Sequence, residues 1–383
     1  MMRRDRIIAP KYSNKIIVRS LNINHIENAM DSINFLPKLF GLYPFYKIDS
    51  KHYFSLMHFL IALPMHLLYW FLNIIVIINA DNSWTPFDYL QISLRMYAVT
   101  ITVHYTLIWM IFNVKLFNDI VDNLKIVENS LKRLGLVFQH KVNYAFTIES
   151  TVMVSMTIPL AILMSDRSWY AIIRIIINFG IIYSMCIQAK QISDIIFVIT
   201  ELFSMLSLNT KNIQHFNDSN KTIDIFLYCH DLLKSVCASL NNLYSPFLML
   251  CLTTCFARIT LAIFTILDFK SVLDVVYLSA VALLYSLPAY RVATVCSRCI
   301  NKANEFDDIL FSLVHNNNTV HLARNIKVHL HIANRRKLTF TAFGLFQVNV
   351  GVLGKMIATA VTYLVIMLQL KAQFNLDQAV TND

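Results

Sequence analysis

Read as a pattern of apolar and polar positions, the chain alternates long apolar stretches with charged connecting segments. Seven stretches are long enough for a bilayer crossing, which takes about 20 apolar residues. They cover residues 54–80, 89–112, 144–165, 169–189, 243–267, 272–295 and 344–370. None alternates with period two, so they predict transmembrane helices rather than barrel strands. The connections 81–88, 166–168 and 268–271 are very short, whereas those on the other side run to dozens of residues. In 191–208, Ile195, Ile196, Val198, Ile199 and Leu202 sit among Asp194 and Glu201 at helical spacing. The spans are therefore expected to continue past the membrane and pack as a helical layer.

The pattern predicts one all-α unit over 1–383 with seven transmembrane helices. Its parts are an N-terminal segment (1–53), six helices with their loops (54–343), a last helix (344–370) and a tail (371–383). No internal repeat is visible, which speaks against a secondary transporter. Composition sharpens the membrane reading, because only 15% of residues are charged and mean hydropathy is +0.53. Soluble chains carry about a quarter charged residues.

Charge then orients the helices. Of the 33 Lys and Arg residues, 25 fall in the N-terminal segment and the long loops, three on the opposite side and five inside spans. Short loops rich in Lys and Arg stay in the cytoplasm, so the N-terminus is expected inside and, after seven spans, the C-terminus outside. This is the reverse of metabotropic seven-helix receptors. Their Asp-Arg-Tyr after the third span and Asn-Pro-x-x-Tyr at the seventh are also missing. The net charge of +10 is accounted for as an orientation signal, with membrane lipid and not nucleic acid as the partner.

All seven cysteines lie in spans or on the predicted cytoplasmic side, so free thiols are expected. Cys296-Ser-Arg-Cys299 has a metal-like spacing but no second pair follows. His329 and His331, two residues apart, point away from each other on a helix. No Ser-His-Asp set, phosphate loop or paired carboxylate stands out, so neither an enzyme nor a bound cofactor or metal is expected.

Inside the spans, Arg95, Arg174 and Arg258 are the informative charges, since each costs from ~3 kcal/mol upward unless paired or hydrated. By orientation they lie in the outer half with Asp268 and Asp274. Together with Trp70, Trp169, Tyr170 and Tyr277 they are predicted to line a wet ligand cavity. Snorkelling to the interface is an open alternative for Arg95 and Arg174. Arg258 lies deeper and is assigned to the site. Glu149 and Arg291 read as structural. Lys355 either faces the inner mouth of a pore or snorkels.

The last span ends Thr362-Tyr363-Leu364-Val365-Ile366-Met367-Leu368-Gln369-Leu370. This resembles the C-terminal signature of insect gustatory receptors: Thr-Tyr, five apolar residues, Gln and Phe, with Leu370 replacing the Phe. Thr341-Ala342-Phe343-Gly344-Leu345-Phe346 is similar to that family's lead into its last helix. Leu39-Phe40-Gly41-Leu42-Tyr43-Pro44-Phe45 is similar to its segment before the first span.

The resemblance implies a subunit of a ligand-gated, weakly selective cation channel, a homo- or hetero-tetramer whose seventh helices line the pore. It further implies a small-molecule tastant and a place in the plasma membrane of gustatory sensory neurons. Sugar receptors of that family carry an acidic residue after Thr-Tyr, where this chain has Leu364, which implies a non-sugar, bitter-type ligand. Odorant receptor channels share the architecture and remain the alternative. By helical spacing Thr362, Ile366 and Gln369 share one face, making them, with Leu370, the predicted pore and gate residues.

Overall fold

A computed structural model describes residues 25–40, 42–48, 51–57, 60, 63–64, 67–68, 70–71, 74–75, 86–138, 145–163, 169–213, 219–266, 272–315, 322 and 324–381. Helix α1 (His25–Leu39) opens the described chain and buries Ile26, Met30 and Ile33. Its first backbone N–H groups have no partner within the helix. Those of His25 and Ile26 donate instead to Glu128, at 2.8 and 3.1 Å. Strands β1 (Phe45–Ile48) and β2 (Lys51–Phe54) form an antiparallel hairpin. Tyr43 and Phe45 pack edge-on beside it, with Tyr43 also against Phe117. The described residues between 56 and 75 are helical. The rest of the first predicted span, 54–80, lies outside the described residues.

Helix α2 (Pro86–Phe112) is followed by α3 (Val114–Arg133), and the chain bends by 72° between them. The two differ in kind. The described part of α2 is apolar with Thr100, Thr102 and Thr106 turned inward. In α3 a stripe of Phe117, Ile120, Val121, Leu124, Val127 and Leu131 is buried under a polar outer face. The apolar character thus stops at the bend, and α3 packs as an amphipathic helix.

Helix α4 (Ala145–Leu163) is short, whereas α5 (Trp169–Lys211), α6 (Ser219–Ile266) and α7 (Val272–Val314) contain 43, 48 and 43 residues. At 1.5 Å per residue each of these three is roughly 65–70 Å long. The hydrocarbon core is about 30 Å thick, so half of each helix lies beyond it. Their extensions pack together as the predicted helical layer, and Ile195, Ile196, Val198, Ile199 and Leu202 are all buried there. Among the described residues five helices are long and apolar enough to cross a membrane, or six if the bent α2–α3 pair counts as one broken span. All seven cysteines are free and buried.

Helix α8 (Ile326–Ala333) lies on α6 and α7. A second hairpin, β3 (Thr341–Ala342) and β4 (Phe346–Gln347), leads into α9 (Val350–Thr381). The last helix therefore begins at Val350 rather than 344 and runs past 370 to Thr381. Its later start has a local cause. Phe343 and Gly344 adopt φ of 50° and 73°, left-handed conformations in the three-residue hairpin loop 343–345, which a helix excludes.

Candidate functional site

Helix α9 carries the predicted pore residues, and its burial separates it from the other four described helices long and apolar enough to cross a membrane. Only 6% of its apolar window is buried, against 72% in α5. What packing it has is one-sided. Its buried or half-buried positions are Val352 and, spaced three and four apart, Leu353, Met356, Ala360, Leu364 and Met367. The opposite stripe is Gly351, Lys355, Ala358, Thr362, Ile366 and Gln369, all exposed. Thr362, Ile366 and Gln369 thus share the face predicted for them, and Lys355 falls on the same stripe. Leu370 is exposed beside it. Tyr363 belongs to the flank, where its ring meets Phe256 of α6 edge-on at 5.8 Å. Thr362 turns its hydroxyl back to the Ala358 carbonyl at 3.3 Å.

The residues predicted to bind ligand fare unevenly. Residue 268 and the side chains of Arg95, Trp169, Tyr170, Arg174 and Asp274 lie outside the described residues. Trp70 is 6.3 Å from His104 of α2, ring to ring, and Tyr277 is half-buried against the core. Arg258 is buried as expected, with Tyr285 of α7 as its described partner. Its guanidinium donates to the Tyr285 hydroxyl and lies 4.4 Å from that ring's centre. Its Nε is buried with no hydrogen-bond partner among the described residues. Arg291 stands over the ring of Phe146 at 5.8 Å, which fits its structural reading. An apolar cavity of about 320 Å³ opens between α6, α7 and α9, lined among others by Phe256, Tyr290, Met356 and Ala360. None of the predicted ligand residues lines it.

One cluster escaped the sequence reading. In the extramembrane layer His331 of α8 bridges two helices, with Nδ1 3.2 Å from Asp231 of α6 and Nε2 3.1 Å from Asp307 of α7. The other oxygen of Asp307 meets Lys234 at 3.0 Å and Arg335 at 3.3 Å. Nearby His230 stacks on Phe306 and its Nε2 donates to the Ala303 carbonyl at 3.1 Å.

The ligating atoms of His230, Asp307 and His331 lie within 4.8 Å of one another, a spacing a metal ion accepts. The charges favour a proton instead. Burial lowers the pKa of His331, but its hydrogen bonds and charge contacts with Asp231 and Asp307 outweigh this and raise it from 6.5 to about 9. Both ring nitrogens then donate, and Lys234 and Arg335 stand by as fixed cations. Spacing along α8 holds no trace of this, because the partners come from α6 and α7.

A bundle of long helices, five of them apolar enough to cross a membrane among the described residues and one left nearly bare, is a multi-pass membrane architecture. The family profile described as 7tm chemosensory receptor matches residues 32–374, and the chain belongs to that family. In fold it is similar to the insect olfactory receptor OR5 from Machilis hrabei, with 13% identity and a TM-score of 0.68, covering 90% of this chain and 99% of that one. The same receptor in complex with eugenol matches over the same shares at 13% identity with a TM-score of 0.65. No curated protein matches the chain in sequence.

Proposed function

We propose that the chain is a gustatory receptor subunit of a ligand-gated, weakly selective cation channel, opened by a non-sugar tastant. The observation that carries this reading is the bare stripe of α9. A span left almost unpacked by its own chain is free to meet other subunits as well as lipid, and a four-fold arrangement of copies would turn Thr362, Ile366 and Gln369 toward a common axis. That axis then presents hydroxyl, apolar and amide groups, with Leu370 at its end. Rings of this kind pass ions when wide and block them by dewetting when narrow. The charge bias of the loops supports an inside N-terminus, a cytoplasmic helical layer and an outside C-terminus. The unsatisfied Nε of Arg258 supports a ligand site in the bundle. Arg95, Arg174, Trp70, Trp169, Tyr170, Asp274 and Tyr277 are kept as its proposed outer lining.

The gustatory assignment rests on the Thr362–Gln369 signature. An odorant receptor subunit is the second reading, favoured by the fold likeness to an olfactory receptor. Cells expressing only this chain, or this chain with candidate partner subunits, are to be recorded against alkaloids, glycosides, sugars and volatile odorants. Currents evoked by alkaloids or glycosides support the first reading, and currents evoked by volatiles alone support the second. Gln369→Glu should raise relative calcium permeability. Reversal potentials that stay unshifted on calcium-for-sodium exchange would remove Gln369 from the conduction path.

A further inference from the structure

The hairpin at the base of α9 is both strained and gripped. Phe343 is the only non-glycine residue with positive φ among the described residues, at 50°. A bulky side chain rarely adopts this conformation, and it persists only where the surroundings over-determine it. Those surroundings come from α6. Asn241 holds Thr341 twice: its Oδ1 accepts the Thr341 N–H at 2.8 Å and its Nδ2 donates to the Thr341 hydroxyl at 3.3 Å. One turn on, the Ser245 hydroxyl accepts the Phe343 N–H at 2.5 Å and donates to the Thr341 carbonyl at 3.4 Å.

The hairpin closes with the Leu345 N–H on the Ala342 carbonyl at 3.0 Å and the Val348 N–H on the Phe340 carbonyl at 2.8 Å. The Val350 N–H, first of α9, donates to Ser297 of α7 at 3.0 Å. Four side-chain hydrogen bonds from two α6 residues thus fix Thr341 and Phe343, nine and seven positions before the start of a helix that is otherwise nearly unpacked.

We propose that Asn241 and Ser245 are the coupling residues through which displacement of α6 reaches α9. α6 also carries Arg258, so a ligand acting on the membrane half of α6 shifts the same rigid helix that grips the hairpin. The strained turn has no slack: Phe343 cannot relax without releasing Ser245, and Thr341 cannot shift without breaking both bonds to Asn241. Motion of α6 is therefore transmitted to Val350 rather than absorbed. The remainder of α9 makes few contacts of its own and follows its base. Asn241 and Ser245 touch neither ligand nor ion in this scheme and act by positioning.

The coupling rests on the channel reading, and two measurements keep the two ideas apart. In ligand-evoked recordings, Asn241→Ala and Ser245→Ala should each raise the half-activating concentration about tenfold at unchanged surface expression. Ser245→Thr keeps the hydroxyl and should stay near wild type. Normal dose–response curves in both alanine variants would overturn the proposal. Silence of the wild-type chain under every ligand and partner subunit would count against the channel reading alone.

Hydrogen exchange on the purified receptor then decides the coupling without any current. Asn241→Ala should speed exchange across residues 341–354, and the same change confined to α6, or none, would overturn it.

Discussion

Replacement of His331 by glutamine is expected to remove a pH-dependent share of stability, and the structure sets its size and sign. In the folded chain the His331 pKa is about 9 against 6.5 for free imidazole, because Asp231 and Asp307 overcome the effect of burial. A difference of that size corresponds to about 3 kcal/mol. A raised histidine pKa means the folded state holds a proton that the unfolded state releases. Its contribution is complete below pH 6.5 and is lost as pH rises through about 9.

Asp307 runs the other way. Burial raises its pKa, but His331 and Lys234 outweigh this and lower it from 3.8 to about 2. Its contribution is present above 3.8 and lost as pH falls toward 2, so the two together leave a plateau between roughly pH 4 and 6.5. Thermal unfolding of the purified receptor, followed by tryptophan fluorescence, reads this directly. Between pH 6.5 and 9 the wild-type midpoint should fall by about 3 °C more than that of His331→Gln. The two curves should converge near pH 9.5. Parallel curves across that range would refute the imidazolium bridge.

Glu128→Gln removes a charge that caps two backbone N–H groups of α1, and should cost about 1–2 kcal/mol, seen as earlier proteolysis near residue 25. Unchanged protease resistance would dissociate Glu128 from α1. Tyr285→Phe strips the buried Arg258 of its described acceptor and should reduce the folded yield more than Arg258→Leu, which removes the charge as well. Adding Arg258→Leu to Tyr285→Phe should therefore restore yield, and a further fall would mean that the pair is not the relevant contact. Leu370→Phe enlarges the proposed gate ring and should lower unliganded current. An equal or larger leak would place the gate elsewhere.

Much of the membrane architecture was legible in the chain. A bilayer imposes a local rule, because about 20 consecutive residues must be apolar and must satisfy their own backbone. Such a rule leaves its mark on contiguous sequence, as in 144–165 and 272–295. The face shared by Thr362, Ile366 and Gln369 was legible for the same reason, being a matter of 3.6-residue spacing within one helix. Boundaries were legible only in part. Residues 344–349 are apolar enough to extend the last span, yet Phe343 and Gly344 are held in a turn by Asn241 and Ser245, about 100 positions earlier in the chain.

The sequence by itself determined a polytopic helical membrane chain, with free cysteines, no enzyme chemistry and a recognisable receptor signature at its end. Only the tertiary structure decided that α9 is the helix left bare, that Arg258 meets Tyr285, and that His331 joins Asp231 to Asp307. It also decided where the Thr341–Phe346 hairpin is anchored. Each of these depends on which helices become neighbours across large sequence separations. Hydrophobic periodicity states which face of a helix is apolar, whereas a specific polar contact needs the positions of two backbones at once.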